Sequence, residues 1–490
     1  MRTNTIQLND INGGWSFGFS KPTNRSAPSS RSGTYYSGLL SNTRSGYEGM
    51  MGSAYSETAL TGSSINSLLV NATTASDGNA YAIGQNGEIV QINLPSSIGT
   101  TYTAPSGVTT DSYKDIWTHV EPLTGVESLF FTYQTSGNAY IGYKQVNSST
   151  RNDTYVTLTN KNVPHVGVVS ANNKSYITDG NIIRAYDPAI GGTTTVNVGL
   201  GWTAVSVADA GDYCAIVGNL SSMSAVGGAR SRLWLWNGSG TSYNFQYDIR
   251  DVTVTSVTNE GGVIKVFCTG KNGTTKIKTF SGQNFSEEAD FEVDSNYSDS
   301  PSHGMVDIWM NQLAWRTQSG YVWTYGSIKK DQFLTGGSRI SQITTDTSQG
   351  FVKNLYGSNL YTCKKVGSTY TVVYINPSSS GNLSSSIRTN LYQLPHKSTI
   401  EYIEVIFANF TIAGNSTSGN VFTLNLYQGD ETTSQITASV PSDNALQGTK
   451  LYYYPIRQKL SDVDTFYMDI TWTGVIKNII VHSAYEDNAI

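Results

Sequence analysis

The chain has 490 residues, of which 14% are charged, and its formal net charge is −5. That length exceeds one ordinary core, so roughly two or three domains or several packed layers are expected. A balance this close to neutral argues against bulk attraction to nucleic acid or to an anionic membrane surface. Glycine (48) and tyrosine (31) are abundant beside Ser, Thr and Asn, a palette for short strands and polar turns rather than long helices. No run of about 18 apolar residues is present. The opening MRTNTIQLND lacks the apolar stretch of a secretion signal, so the expectation is a soluble protein made in the cytosol. On that expectation, Asn-x-Ser/Thr matches such as Asn71, Asn409 and Asn415 carry no weight as glycosylation sites. Cys214, Cys268 and Cys363 are far apart and odd in number, which favours buried free thiols over a disulfide framework.

Residues 1–60 are rich in Gly, Ser and Arg and show little periodicity. A stretch of this kind buries little by itself and reads as an extended N-terminal arm laid on something else. Its aromatics and cations make Trp15, Phe17, Phe19, Arg25, Arg31, Tyr35 and Tyr36 the candidate partner-binding residues. Arginine beside aromatic rings also suits nucleic acid. The charges are too spread out for a patch, however, and a clasp onto a neighbouring subunit is the favoured reading.

From 61 to 377 an alternating hairpin recurs. It begins as AYAIGQNGEIVQI and returns as LFFTYQTSGNAYIGYKQV, KSYITDGNIIRAYDP, SRLWLWNGSG, VIKVFCTGKNGTTKIKTFSG, QLAWRTQSGYVWTYGS and LYTCKKVGSTYTVVYIN. Taking Ile89, Ile141, Ile182, Leu233, Ile277, Val322 and Val372 as equivalent points, the spacing is roughly 41 to 52 residues, the length of a four-stranded propeller blade. Turn pairs such as Asn86-Gly87, Asp179-Gly180, Asn237-Gly238 and Asn272-Gly273 supply the positive φ of tight hairpins. One hairpin cannot cover both faces of its sheet, whereas radial stacking covers both and leaves few open edges. A degenerate β-propeller of about seven blades is therefore predicted, with six or eight as neighbouring counts and an array of β-sandwiches as the alternative.

NPSSSGNLSSS, residues 376–386, has the composition of a linker. Beyond it, 387–490 carries longer strands with strict period-two alternation, as in TIEYIEVIFANFTI and NVFTLNLYQG, and an antiparallel β-sandwich is predicted. The fold class is all-β throughout.

A search for chemistry returns little. His119, His165, His303, His396 and His482 are isolated in sequence, which favours ordinary core or surface roles over metal ligation. No serine-hydrolase elbow, phosphate loop or Cys-x-x-Cys is present. A sialidase-like aspartate box is approached only by SVADAGDY, where Asp209, Gly211 and Tyr213 fall roughly in place. Ser206 is out of register and the Trp is missing, so a turn aspartate is preferred. Sequence nominates no pair of carboxylates for glycoside hydrolysis. The acidic stretch SEEADFEVDSNYSDS, with Asp294, Asn296, Ser298 and Asp299, lacks the Gly and Glu of an EF-hand and reads as a solvated inter-blade loop. Trp234, Trp236, Trp309, Trp315 and Trp323 fit either sugar stacking or packing between blades; the strict alternation of RLWLWNG favours packing.

The layout as a whole resembles the tail-associated β-propeller proteins of tailed bacteriophages, of the tail-nozzle and DNA-stabilisation type. The resemblance rests on the run into a Gly-Gly turn (IQLNDINGGWSFGF), the Gly/Arg-rich lead-in (SNTRSGYEGM), the degenerate propeller and the β-sandwich expected near the C-terminus. It implies a non-enzymatic virion structural protein without cofactor, metal or catalytic residues. It also implies a ring of copies bound to other virion proteins, with passive contact to DNA in the ring's channel and no membrane. The absence of a basic stripe suits a channel in which DNA slides. Two other readings remain open from sequence: a host-receptor or carbohydrate-binding propeller, and a sialidase-like glycoside hydrolase.

Overall fold

The computed structural model describes residues 54–485 apart from 63–64, 111, 188–190, 221–229, 271–274, 292–299, 318–319, 327–334, 343–349, 378–383, 410–419, 447 and 449–450. Ahead of these it describes 2–7, 18–19, 34–39 and 51–52. Among the described residues the regular structure is all strand, save one 3-10 turn at Asn444–Leu446.

Seven antiparallel sheets follow one another along the chain, each of four strands except the first, which gains a fifth. Their innermost strands are Leu69–Thr74, Asp115–Val120, Gly167–Val169, Trp202–Ala210, Val252–Glu260, Val306–Trp309 and Val352–Tyr356. Each lies beside the next, and the seventh returns to the first, so the sheets form the blades of a closed seven-bladed propeller. All seven points taken as equivalent in the sequence, from Ile89 to Val372, fall in the third strand of their blades. The recurring hairpin is thus strands two and three of each blade.

Burial explains why that hairpin is the legible part. Strand two is covered on both faces by the flanking blades: every residue of Ala80–Gly84, Ser175–Asp179 and Gln312–Arg316 is buried. Outer strands such as Phe245–Arg250 are mostly exposed and carry polar residues. In RLWLW the alternation serves two neighbours at once. Leu233 and Leu235 pack toward Val254 and Val266 of blade 5, whereas Trp234 and Trp236 pack toward Tyr176 and Ile183 of blade 3. Each such aliphatic or aromatic side chain contributes about 1.5–3 kcal/mol on burial.

The ring is sealed by the N-terminal region. Glu57–Ala59 adds the outermost strand of blade 7, with Ala59 opposite Val373, and Glu57 forms an ion pair with Lys364. Thr61–Gly62 then runs parallel to Ser97–Tyr102 as the fifth strand of blade 1. Just upstream, Tyr55 is 1% exposed; its ring meets Trp309 edge-on at 6.0 Å, and its carbonyl accepts the Ser341 hydroxyl at 2.7 Å.

The remaining strands form one curled antiparallel sheet of eleven strands. This differs from the separate two-sheet sandwich expected for 387–490. The cause is Tyr392–Asn409, an 18-residue strand that changes partner along its length. Its first part pairs with Leu460–Trp472; its second lies between Tyr452–Ile456 and Val475–Tyr485. The sheet bends across that change and encloses one core, where Val405 and Phe407 share a cluster with Leu424, Met468 and Ile470. It also recruits the N-terminal region: Arg2–Gln7 pairs along Ile480–Tyr485, and Thr34–Leu39 pairs with Ser385–Thr389, the end of the expected linker. The acidic stretch differs as well. Its first part belongs to Phe285–Phe291, the outer strand of blade 5, while Asp294, Asn296, Ser298 and Asp299 lie outside the described residues.

Candidate functional site

Propellers gather one strand from every blade around their axis, so polar groups remote in sequence converge there. The axial cavity here has a volume of about 500 Å3, and its wall takes a segment from each blade, from Asn71–Thr73 in the first to Lys353 in the seventh. His303 lines this cavity, and behind its wall it joins the fully buried Asp115 and Ser206. His303 Nε2 lies 3.3 Å from Asp115 Oδ2, and His303 Nδ1 lies 2.8 Å from Ser206 Oγ.

Each member is set by the backbone of a different blade. Asp115, 0% exposed, opens the inner strand of blade 2; its Oδ2 accepts the Gly167 backbone NH of blade 3 at 2.6 Å, and its Oδ1 accepts the Asn71 amide of blade 1. Ser206 lies at the irregularity in the inner strand of blade 4 and accepts the Val257 NH of blade 5 at 3.2 Å. His303 precedes blade 6 and reaches across to both. The turn that carries it needs Gly304: its φ is +86°, and a Cβ there would stand 2.7 Å from the Val70 carbonyl oxygen. The Gly304 carbonyl in turn accepts the Val352 NH of blade 7 at 3.0 Å. This short segment thus meets blades 1, 2, 4 and 7 directly, and through Asp115 and Ser206 it is linked to blades 3 and 5.

An acid, a base and a hydroxyl in line are the parts of a nucleophilic hydrolase. The geometry does not present them as one. Ser206 is 0% exposed, and the cavity wall beside it is made by Val207–Asp209, so the hydroxyl points into the wall. One of its lone pairs already holds the Val257 NH. The chemistry available to the array is cohesion, since each buried polar group finds a partner on another blade. Asp209, the near miss to an aspartate box, acts the same way. It accepts the Ser170 hydroxyl at 2.7 Å and the Ala171 NH at 3.0 Å, both from blade 3, and the Gly211 NH in its own turn.

No protein-family model and no curated protein sequence matches the chain. Among solved structures, the β-propeller domain of Cps50 (Swd1) from Myceliophteria thermophila is similar at 8% identity and a TM-score of 0.43; the match covers 64% of this chain and 98% of that one.

The five tryptophans weighed as sugar platforms are all at most 2% exposed and pack within or between blades, which closes sugar stacking on those residues. No group of three or more metal-type ligands occurs among the described residues. Of the candidate partner-binding residues, Trp15, Phe17, Arg25 and Arg31 lie outside the described residues, as do the side chains of Phe19, Tyr35 and Tyr36. The backbones of these last three belong to short strands of the curled sheet, with Phe19 opposite Tyr35 and Tyr35 opposite Thr389. Sequence reasoning missed Asp115, Ser206 and His303 as a unit. Ser206 and His303 are 97 positions apart, and no local spacing marks them.

Proposed function

We propose that this chain is a structural protein of a virion, a multi-copy component of a phage tail or tail-proximal ring such as a nozzle or adaptor. It acts by contact with other virion proteins and with copies of itself, not by catalysis. The observation that carries the reading is the way the first and last described strands are paired. The first described strand lies along the last, and the segment between them seals the propeller, so force applied to either body is shared by the other. A particle component that must not open under load benefits from such closure. The axial cavity supports the same reading, because its buried acid, base and hydroxyl are spent on joining blades. DNA, where this protein meets it, passes through the lumen of the assembled ring, since His303 bridges the propeller's own axis.

The test has two arms. Gradient-purified particles probed for this chain by mass spectrometry and immunolabelled electron microscopy are expected to contain it in multiple copies; its absence from particles would remove the virion placement. A fluorophosphonate probe offered to the purified protein is expected to leave Ser206 unmodified. Labelling lost in Ser206→Ala would replace the structural reading with a hydrolytic one.

A further inference from the structure

A second, smaller cavity of about 160 Å3 lies between blades 2 and 3. Its lining is aromatic: Phe130, Tyr143 and Tyr155 come from three successive strands of blade 2, and Tyr186 from blade 3. The rings form a box and not a stack. Tyr143 and Tyr155 stand at 88° with centroids 5.1 Å apart, and Tyr155 and Tyr186 at 87° and 5.7 Å. Phe130, 8% exposed, lies 5.9, 6.1 and 5.9 Å from Tyr143, Tyr155 and Tyr186. The tyrosines are only half-buried, so the box opens to solvent.

Val126, Ser128 and Gln145 complete the lining with Glu121 and His119. Glu121 sits at the rim, its carboxylate accepting the Thr124 hydroxyl at 2.5 Å and holding no cation among the described residues. His119, 3% exposed, shares a hydrogen bond between its Nδ1 and Ser175 Oγ at 2.6 Å, and its Nε2 is fully buried. Burial lowers the His119 pKa, opposed in part by the Asn173 backbone and the Asp187 carboxylate, so the ring adds no positive charge at neutral pH.

We propose that this box binds a small quaternary or methylated ammonium group. Aromatic faces around one point attract a cation that carries no N–H and needs no hydrogen-bond acceptors, and Glu121 supplies the opposite charge. A primary ammonium would bring three donors to satisfy, which ring faces do not do. The volume accommodates about five water-sized groups at about 30 Å3 each, the size of a trimethylammonium head with one further carbon. The site is separate from the Asp115–His303–Ser206 array, and the proposal is independent of the structural role proposed above.

The experiment titrates the full chain with tetramethylammonium, choline, Nε-trimethyllysine and the uncharged choline isostere 3,3-dimethylbutanol, read by calorimetry and by NMR line shifts. The cations are expected to bind, with choline about ten-fold tighter than its isostere, and the ranking of choline against trimethyllysine identifies the arm the site prefers. Glu121→Gln, a change at the exposed rim, is expected to weaken choline about five-fold while leaving Tm unchanged. Tyr186→Leu, which removes one wall but keeps apolar contact, is expected to abolish the preference for charge. Equal binding of choline and the isostere would overturn the proposal. So would no binding of any cation at 50 mM, or a Glu121→Gln protein indistinguishable from the parent.

Discussion

Asp179 is fully buried at the end of the second strand of blade 3, and several donors converge on its carboxylate. The backbone NH groups of Thr159 and Asn160 reach it at 2.8 Å each, and Arg184 contributes Nη2 at 2.8 Å and Nε at 3.1 Å. Burial alone would raise its pKa; hydrogen bonds from His165, Thr159, Asn160 and Arg184 outweigh that and hold it well below the usual carboxylate range. The folded pKa is thus depressed. Its contribution to stability is complete above the unfolded Asp value of about 3.9 and is lost as the pH falls from there toward the folded pKa. Asp179→Asn is expected to cost about 3 kcal/mol at pH 7, because a half-buried guanidinium and two backbone donors lose their fully buried anion. Urea unfolding at a series of pH values should show that difference narrowing below about pH 4. A constant gap down to pH 2 would mean that the carboxylate's charge is not what binds the blades there. From the sequence Asp179 was legible only as the residue before a turn glycine, because its partners are set by the approach of blade 2 to blade 3.

Among the elements, the segment around Tyr55 decides whether the ring closes. A three-residue strand, Glu57–Ala59, completes blade 7, and nothing in its composition marks it as a strand. The ring contact with Trp309 and the hydrogen bond from Ser341 fix Tyr55 immediately before it. Tyr55→Ala removes a fully buried ring and leaves a cavity beside Trp309, so a loss of about 3–5 kcal/mol is expected in denaturant melts, with increased protease cleavage between 55 and 62. Tyr55→Phe, which keeps the ring, should retain most of the stability. Hairpins of strands two and three were legible because burial on both faces writes a continuous apolar signal. The inner strands were less so: Leu69–Thr74 reads LVNATT, since one side of it serves the polar axis. The long strand Tyr392–Asn409 was legible as a strand, but its change of partner was not, since pairing depends on which edges lie near.

At the scale of the whole molecule, closure predicts cooperativity. The three free cysteines lie in blades 4, 5 and 7, all buried. Burial pushes the Cys214 thiol well above its ordinary pKa and Cys268 up to about 12, so neither offers a thiolate at neutral pH. All three are expected to be silent toward a thiol reagent in the native protein and to become reactive in a single phase with one rate as denaturant opens the ring. Blades are not independent units when a single His303 segment and one closing strand join the circle. Stepwise labelling, one cysteine ahead of the others, would show blades opening separately and argue against a body built to carry load.

Amino-acid order by itself determined the all-β character, the hairpin repeat and its seven equivalent points, the buried thiols and the inward packing of the tryptophans. These depend on alternation and turn chemistry between near neighbours, which a linear pattern records. Only the tertiary structure decided which strand seals blade 7, that the expected sandwich is one curled sheet joining the first and last described strands, and that Asp115, Ser206 and His303 meet beside the axial cavity. Those features arise where edges and side chains from distant segments complete one another's hydrogen bonds, and distance along the chain carries no trace of that.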